Sequence, residues 1–233
     1  MKAVILAGGL GTRLRTTVPD RPKAMAAVGG RPFLRYQLEF LAKWNITDVV
    51  LCVGYLHEQI QKYFDDGSSF GVSLRYSVEC KPLGTAGAIK HAQPLLDNTF
   101  LVLNGDTYLN LDLEQVLDRH AGGPQVATLT LLHARDGKRY GSVTTDSTGC
   151  VIAFAERGGL EPCLINGGLY VFEPGALEFI PPNREVSLER ETFPLMVDRR
   201  LVMGCVMEGY YLDIGTPESY LTAQRELPGQ LGP

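Results

Sequence analysis

Near its start, this 233-residue sequence passes from a run of glycines into positive charge. Gly8, Gly9 and Gly11 are followed by Thr12, Arg13 and Arg15, and then by Pro22-Lys23. Glycines let backbone N–H groups come close to phosphate oxygens, and a nearby guanidinium or ammonium balances the negative charge. Two aspartates are hard-oxygen groups of the kind Mg²⁺ takes alongside phosphate oxygens and water. They are Asp106 in "FLVLNGD" and Asp213 in "YYLDIGTP". Plainer roles stay open: turn glycines, an Asx turn at Asp106, and a turn leading into a helix at Asp213. Spacing excludes two familiar phosphate motifs. A Walker A loop needs G-x-x-x-x-G-K-[ST], which is not met, and a G-x-G-x-x-G fingerprint begins at Gly9 and Gly11 but meets Leu14 at its third glycine.

Such groups need elements to hold them. "AVILA" predicts a strand, and its carboxyl end is the glycine turn, where open parallel sheets place ligands. "FLRYQLEFLAKW" places Leu34, Leu38, Leu41 and Trp44 at helical spacing. "DVVLCVG", "SLRYSVE" and "TFLVLNGD" predict strands. "HEQIQKYF" and "AGAIKHAQPLL" predict helices, the latter as far as Pro94, and Asp112 with Gln115 suits the start of another. This alternation runs to about residue 120 and points to a parallel sheet covered by helices. Beyond it "VATLTLLHA", "YGSVTTD", "VIAFAE" and "LINGGLYVFE" predict strands with fewer helices between them. Thr216-Pro217 opens a final helix.

Several stretches together resemble the sugar-phosphate nucleotidyltransferases. "LAGGLGTRLR…RPKAM" is similar to that family's glycine-rich signature. "PLGTAGA", "LVLNGD", "RYGSV", "INGGLYVF" and "DIGTPESY" have counterparts there in the same order. One departure is Ala24, where the family usually has proline after the lysine; it is expected to loosen the local turn while leaving the cation. The resemblance implies an α/β fold: a single Rossmann-like nucleotidyltransferase domain, 1–227, with a mixed, mostly parallel central sheet flanked by helices. Nucleotide binding falls to about 1–120, sugar binding to about 121–227, and 228–233 is a tail. It also implies a reaction that joins a sugar 1-phosphate to a nucleoside triphosphate and releases pyrophosphate, with Mg²⁺ as cofactor held by Asp106 and Asp213. Arg13 and Lys23 complete the catalytic set. Leu6, Ala7, Gly8, Gly9, Gly11, Thr12, Arg13, Glu79, Pro82, Gly84 and Thr85 are expected at the nucleotide. Asn104, Tyr140, Gly141, Glu156, Arg157, Asn166 and Gly168 are expected at the sugar phosphate. Arg157 stands where the family pattern has lysine, which keeps the charge and alters its geometry.

Glu79 bears on the base. A carboxylate only accepts hydrogen bonds, and guanine offers two adjacent donors, whereas uracil and thymine place one donor between two acceptors. Glu79 therefore favours GTP unless it faces ribose or solvent. "GTRLR", "PFLRYQLEFL", "RYGSV" and "SLERETFP" are similar to the branch acting on D-glycero-α-D-manno-heptose 1-phosphate. A mannose 1-phosphate guanylyltransferase is the near alternative. Uridylyl- or thymidylyltransferases acting on glucose 1-phosphate or N-acetylmuramic acid 1-phosphate are more distant. Since only about ten residues follow the last predicted helix, the β-helix extension of some relatives is not expected.

Composition narrows the classes further. A net charge of -4 and a pI near 5.6 argue against a nucleic-acid partner. No apolar run reaches the roughly 18 residues of a membrane span, and Ala3 to Ala7 is short for a secretory segment. Five scattered cysteines and four isolated histidines form no zinc or disulfide pattern, which favours a reducing cytoplasm. The histidines read as surface or helix filler. A homo-oligomer stays open. A non-catalytic sugar-nucleotide sensor is disfavoured because Arg13, Lys23, Asp106 and Asp213 are all retained. An NAD-dependent enzyme is disfavoured by Leu14.

Overall fold

The computed structural model of the chain describes residues 1–134, 141–155 and 163–230. Its strands and helices alternate in the first half. They run β1 (Lys2–Leu6), β2 (Ala27–Val28), β3 (Arg31–Pro32), α1 (Phe33–Lys43), β4 (Asp48–Val53), α2 (His57–Phe64), β5 (Ser73–Val78), α3 (Gly84–His91), β6 (Phe100–Asn104), β7 (Thr107–Asn110) and α4 (Leu113–Ala121). The second half is richer in strands: β8 (Ala127–Ala134), β9 (Ser142–Thr145), β10 (Val151–Ala155), β11 (Cys163–Phe172), α5 (Phe193–Asp198), β12 (Val202–Met207), β13 (Tyr210–Asp213) and α6 (Pro217–Glu226). Backbone contacts divide the chain into two units. One is Met1–Pro82 with Leu103–Asn110 and Tyr210–Pro233; the other is Leu83–Val102 with Leu111–Gly209.

In the first unit β1, β4 and β5 lie side by side and parallel, Lys2 opposite Asp48 and Asp48 opposite Ser73. Ala3, Val4, Ile5 and Val49 to Val53 are almost wholly buried, as expected of parallel strands covered on both faces. Each valine, isoleucine or leucine among them contributes about 1.5–3 kcal/mol by leaving water. Because the strands run in the same direction, their carboxyl ends bring Ala7, Gly54 and Glu79 to one edge. Helix α1 buries Phe33, Leu34, Tyr36, Gln37, Leu38, Phe40 and Leu41, while Trp44 falls just past its end. A two-stranded ribbon pairs β7 with β13 antiparallel, from Thr107 opposite Asp213 to Asn110 opposite Tyr210.

In the second unit β8 is central, antiparallel to β11 and parallel to β12, and β9 pairs antiparallel with β10 and β11. The sheet is thus mixed. An aromatic group of Phe154, Tyr170, Phe172 and Phe193 fills this core, with Phe154 and Phe193 stacked at 5.6 Å. His120, read from sequence as filler, is buried here. Its ring meets the Thr128 hydroxyl at 2.8 Å and the Glu173 carboxylate at 2.9 Å. A polar ring in a core needs such partners, and they come from β8 and from the end of β11, which local spacing does not announce. A π-turn, Leu188–Thr192, leads into α5. Leu227–Gly229 forms a 3₁₀ turn with Leu227 fully buried. No described helix is long and apolar enough to cross a membrane.

Candidate active site

The parallel ladder overruns β1 by one residue, Ala7 N–H donating to Cys52 O at 2.8 Å. The chain then turns away through the glycines. A Cβ on Gly8 would lie 2.6 Å from Glu79 Oε1, so this carboxylate is aimed at the turn. Glu79 itself is fixed by its N–H, which donates to Val53 O at 2.8 Å. Gly9 has open space around it. Gly11 has φ +60°, the left-handed region, and its carbonyl accepts from Leu14 and Arg15. Leu14, the residue that spoils a dinucleotide fingerprint, is 2% exposed. Burying it pins the turn and leaves Thr12, Arg13 and Arg15 in solvent. Arg15 stacks 4.5 Å over the Tyr55 ring and also donates to its hydroxyl.

Lys23 opens a 3₁₀ turn, Lys23–Met25, closed by Met25 N–H to Pro22 O and Ala26 N–H to Lys23 O. The buried Ala24 therefore sits in a closed turn, contrary to the expected loosening. The side chain of Lys23 passes Gly11 and donates to Asp106 Oδ2 at 2.5 Å. Asp106 sits between β6 and β7. A side chain at Gly105 would collide with the Leu6 carbonyl, whose oxygen accepts the Gly105 N–H at 3.1 Å, so only glycine passes there. Asp213 ends β13 opposite Thr107, and Ile214 N–H donates to the Asp106 carbonyl at 2.9 Å. The two aspartates, remote in sequence, therefore sit at the same end of one strand pair. Asp213 Oδ1 accepts from Gly215 N–H at 2.7 Å and from Ser219 Oγ at 3.1 Å. A Cβ on Gly215 would be 3.7 Å from Arg13 Nη2, so the guanidinium reaches this loop too. Arg13, Lys23, Asp106, Asp213, Gly8 and Glu79 all belong to the first unit, as do Leu6, Ala7, Pro82 and Asn104.

Gly84 and Thr85 belong to the second unit. The Thr85 hydroxyl accepts from Leu188 N–H at 2.8 Å and donates to Glu189 at 3.3 Å, fixing the glycine-bearing turn to the π-turn. Asn166 and Gly168 form an irregularity in β11. Asn166 Oδ1 accepts the Gly168 N–H at 2.9 Å, and its Nδ2 donates to the Tyr170 hydroxyl at 2.8 Å. Gly141 is exposed beside β9. Tyr140, Glu156 and Arg157 lie outside the described residues. Cys52, under the turn, is no nucleophile: burial, and then the Glu79 charge, push its thiol far up.

Among the described residues no three His, Cys, Asp or Glu side chains form a metal cage. Two carboxylates beside a cationic, glycine-lined turn are still a donor set that suits Mg²⁺, which commonly takes one or two carboxylates and completes its shell with water and substrate phosphates. Two residues outside the sequence-based set help hold these groups: Ser219, on Asp213, and Gln37, which donates to Asn104 O and Thr107 O. Gln37 had a signal. It is a polar residue inside the apolar stripe Leu34, Leu38, Leu41.

The nucleotidyl transferase family model matches residues 2–230. The chain is 38% identical over 229 residues to the D-glycero-α-D-manno-heptose 1-phosphate guanylyltransferase of Aneurinibacillus thermoaerophilus, covering 97% of this chain and 98% of that one. It is 39% identical to the mannose-1-phosphate guanylyltransferase of Mycobacterium tuberculosis, covering 99% of this chain and 66% of that one. Among solved structures, HddC from Yersinia pseudotuberculosis complexed with GMP-PN superposes with a TM-score of 0.85 at 30% identity, over 97% of this chain and 99% of that one.

Proposed function

The chain belongs to the nucleotidyl transferase family, and from that membership we propose that it joins GTP to D-glycero-α-D-manno-heptose 1-phosphate, yielding the GDP-sugar and pyrophosphate. The observation that carries this reading is the pairing of Lys23 with Asp106 beside the glycine turn, on the strand pair that ends in Asp213. Heptose is favoured by the full-length likeness to a heptose 1-phosphate enzyme. Guanine is favoured by Glu79, whose carboxylate can accept both the ring N–H and the exocyclic amine.

The chemistry asks for little acid–base work. The attacking oxygen of a sugar 1-phosphate is already an anion. It forms a bond to the α-phosphorus as the bond to the β-phosphate oxygen breaks, and pyrophosphate leaves with that electron pair. Positioning and charge neutralisation supply the catalysis. The backbone from Gly8 to Arg13 cradles the triphosphate, Arg13 lies along it, and Lys23 meets the oxygens that gain charge. Asp106 and Asp213 would hold a Mg²⁺ ion, which when bound supplies further neutralisation of the phosphates. By the family resemblance Gly84 and Thr85 are assigned to the nucleotide, and Asn104, Tyr140, Gly141, Glu156, Arg157, Asn166 and Gly168 to the sugar phosphate. The product suits cell-surface polysaccharide assembly, and five free cysteines suit the cytoplasm.

A pyrophosphate-release screen of GTP, ATP, UTP and dTTP against heptose, mannose and glucose 1-phosphates tests the reading. GTP with the heptose is expected to give the highest kcat/KM. A preference for UTP or dTTP would overturn the guanine assignment, and a preference for mannose 1-phosphate would overturn the heptose one.

A further inference from the structure

Gln37 is 1% exposed, in the middle of α1. An amide buried without partners costs about 1–3 kcal/mol, so its hydrogen bonds indicate its role. Nε2 donates twice, at 2.8 Å to the Asn104 carbonyl and at 2.8 Å to the Thr107 carbonyl. These two carbonyls flank Gly105-Asp106. One nitrogen thus brackets the two-residue turn that presents the Asp106 carboxylate. Backbone bonds also hold the turn, Gly105 N–H to Leu6 O and Ile214 N–H to Asp106 O, while Lys23 and the Thr107 hydroxyl grip the Asp106 carboxylate itself. Among neutral side chains only Gln and Asn offer two donors on one nitrogen, and Asn is a methylene shorter. Gln37 Oε1 meanwhile has no hydrogen-bond partner among the described residues. A leucine or methionine here would fill the stripe without leaving that acceptor bare. For packing alone, then, the glutamine is the poorer choice; what it adds is a fixed distance across the Asp106 turn.

We propose that Gln37 is a positioning residue for nucleotidyl transfer. It touches no substrate, and it holds Asp106 where the carboxylate meets both Lys23 and the divalent cation. This rests on the reading of Asp106 given above. The groups concerned lie within the first unit.

The test uses the whole chain with a non-hydrolysable GTP analogue and Mn²⁺ as the probe ion, free Mn²⁺ being followed by electron paramagnetic resonance. Gln37→Met keeps the length and the apolar fit; Gln37→Asn keeps the amide but reaches only one carbonyl. Both are expected to raise the Mn²⁺ half-saturation concentration about tenfold or more and to lower kcat by about 10–100-fold, the usual range when a group behind a metal ligand is lost. KM for the sugar 1-phosphate is expected to stay within about twofold. Folded variants with an unchanged Mn²⁺ midpoint and kcat would overturn the proposal. So would a loss of activity that only follows a loss of folded protein, the Mn²⁺ midpoint of the folded fraction being unmoved. Asp106→Asn, run in parallel, separates the two levels: if it binds Mn²⁺ as the parent does, the reading of Asp106 fails, whatever the Gln37 variants do.

Discussion

Lys23 and Glu79 approach the glycine turn with opposite charges, and the two glycines they approach set their distances. The Lys23 stem passes Gly11, where a Cβ would be 3.2 Å from Lys23 Cβ. The Lys23–Asp106 pair is part-buried, so its loss should cost on the order of 1–2 kcal/mol of stability. If Lys23 meets the reacting phosphates as proposed, losing it costs the reaction far more. Lys23→Ala is expected to lower kcat by about 10²–10³, the cost typical of one transition-state donor, with a melting temperature shifted by only a few degrees. An unchanged kcat would remove Lys23 from the chemistry. At Gly8 the close neighbour is the tip of a flexible side chain, Glu79 Oε1 at 2.6 Å. Gly8→Ala should fold normally, swing that carboxylate aside and raise KM for GTP. Glu79→Gln should shift preference from GTP towards UTP or dTTP, as competition between nucleotides for turnover would show. The types of these residues were legible in the sequence because so few side chains bind phosphate. Their meeting was not, because Lys23 and Asp106 are brought together by long-range pairing. Thr85, expected at the nucleotide from its motif, also has a tertiary tie that local spacing does not announce: its hydroxyl is engaged by Leu188 and Glu189.

At the scale of elements, α6 secures both halves of the first unit's cation and anion set. Its start holds Asp213 through Ser219, and its end holds the β2–β3 hairpin that follows Lys23. There Gln224 meets Ala27 and Gly29, and Tyr220 reaches the Ala27 carbonyl. The helix start was readable, since Thr216 caps and Pro217 occupies the first helical position, and the structure adds Ser219 as reciprocal partner. Thr216→Ala and Ser219→Ala should each cost about 1 kcal/mol in denaturant unfolding. Ser219→Ala should also lower kcat, because it alone removes a donor from Asp213; equal kcat in the two variants would contradict the anchoring role. Strands β7 and β13 escaped the sequence reading for a physical reason. Each is four residues long, too short for alternation to register, and they pair across about a hundred positions. The longer β1 and β4, with continuous apolar runs, and β5, with apolar and polar residues interleaved, were plain.

At the scale of the molecule, acid stability should depend on the half-exposed Glu173 carboxylate that meets the buried His120 in the second unit. Burial works to raise the Glu173 pKa, but hydrogen bonds from Thr99 and His120 outweigh it and hold the carboxyl below its ordinary 4.5. A depressed folded pKa adds stability that is complete above the unfolded value and disappears as pH falls through the folded one. Unfolding free energy should therefore drop from about pH 5 downward, and Glu173→Gln should flatten that slope. A parallel slope in the variant would refute the assignment. The α/β class followed from the strand–helix alternation, and the mixed sheet from the resemblance to the nucleotidyltransferases. The division into units, each assembled from separated segments, did not, since it depends on contacts between distant stretches. The account as a whole turns on two carboxylates at the ends of β13 and of the β6–β7 turn. The measurement that reaches it most directly is the rate of pyrophosphate release from GTP and the heptose 1-phosphate in Mg²⁺, for the parent chain, Asp106→Asn and Asp213→Asn. The parent should turn over and stop when the metal is chelated, while both variants, folded by circular dichroism, should lose pyrophosphate release altogether. Turnover retained in both would contradict the account.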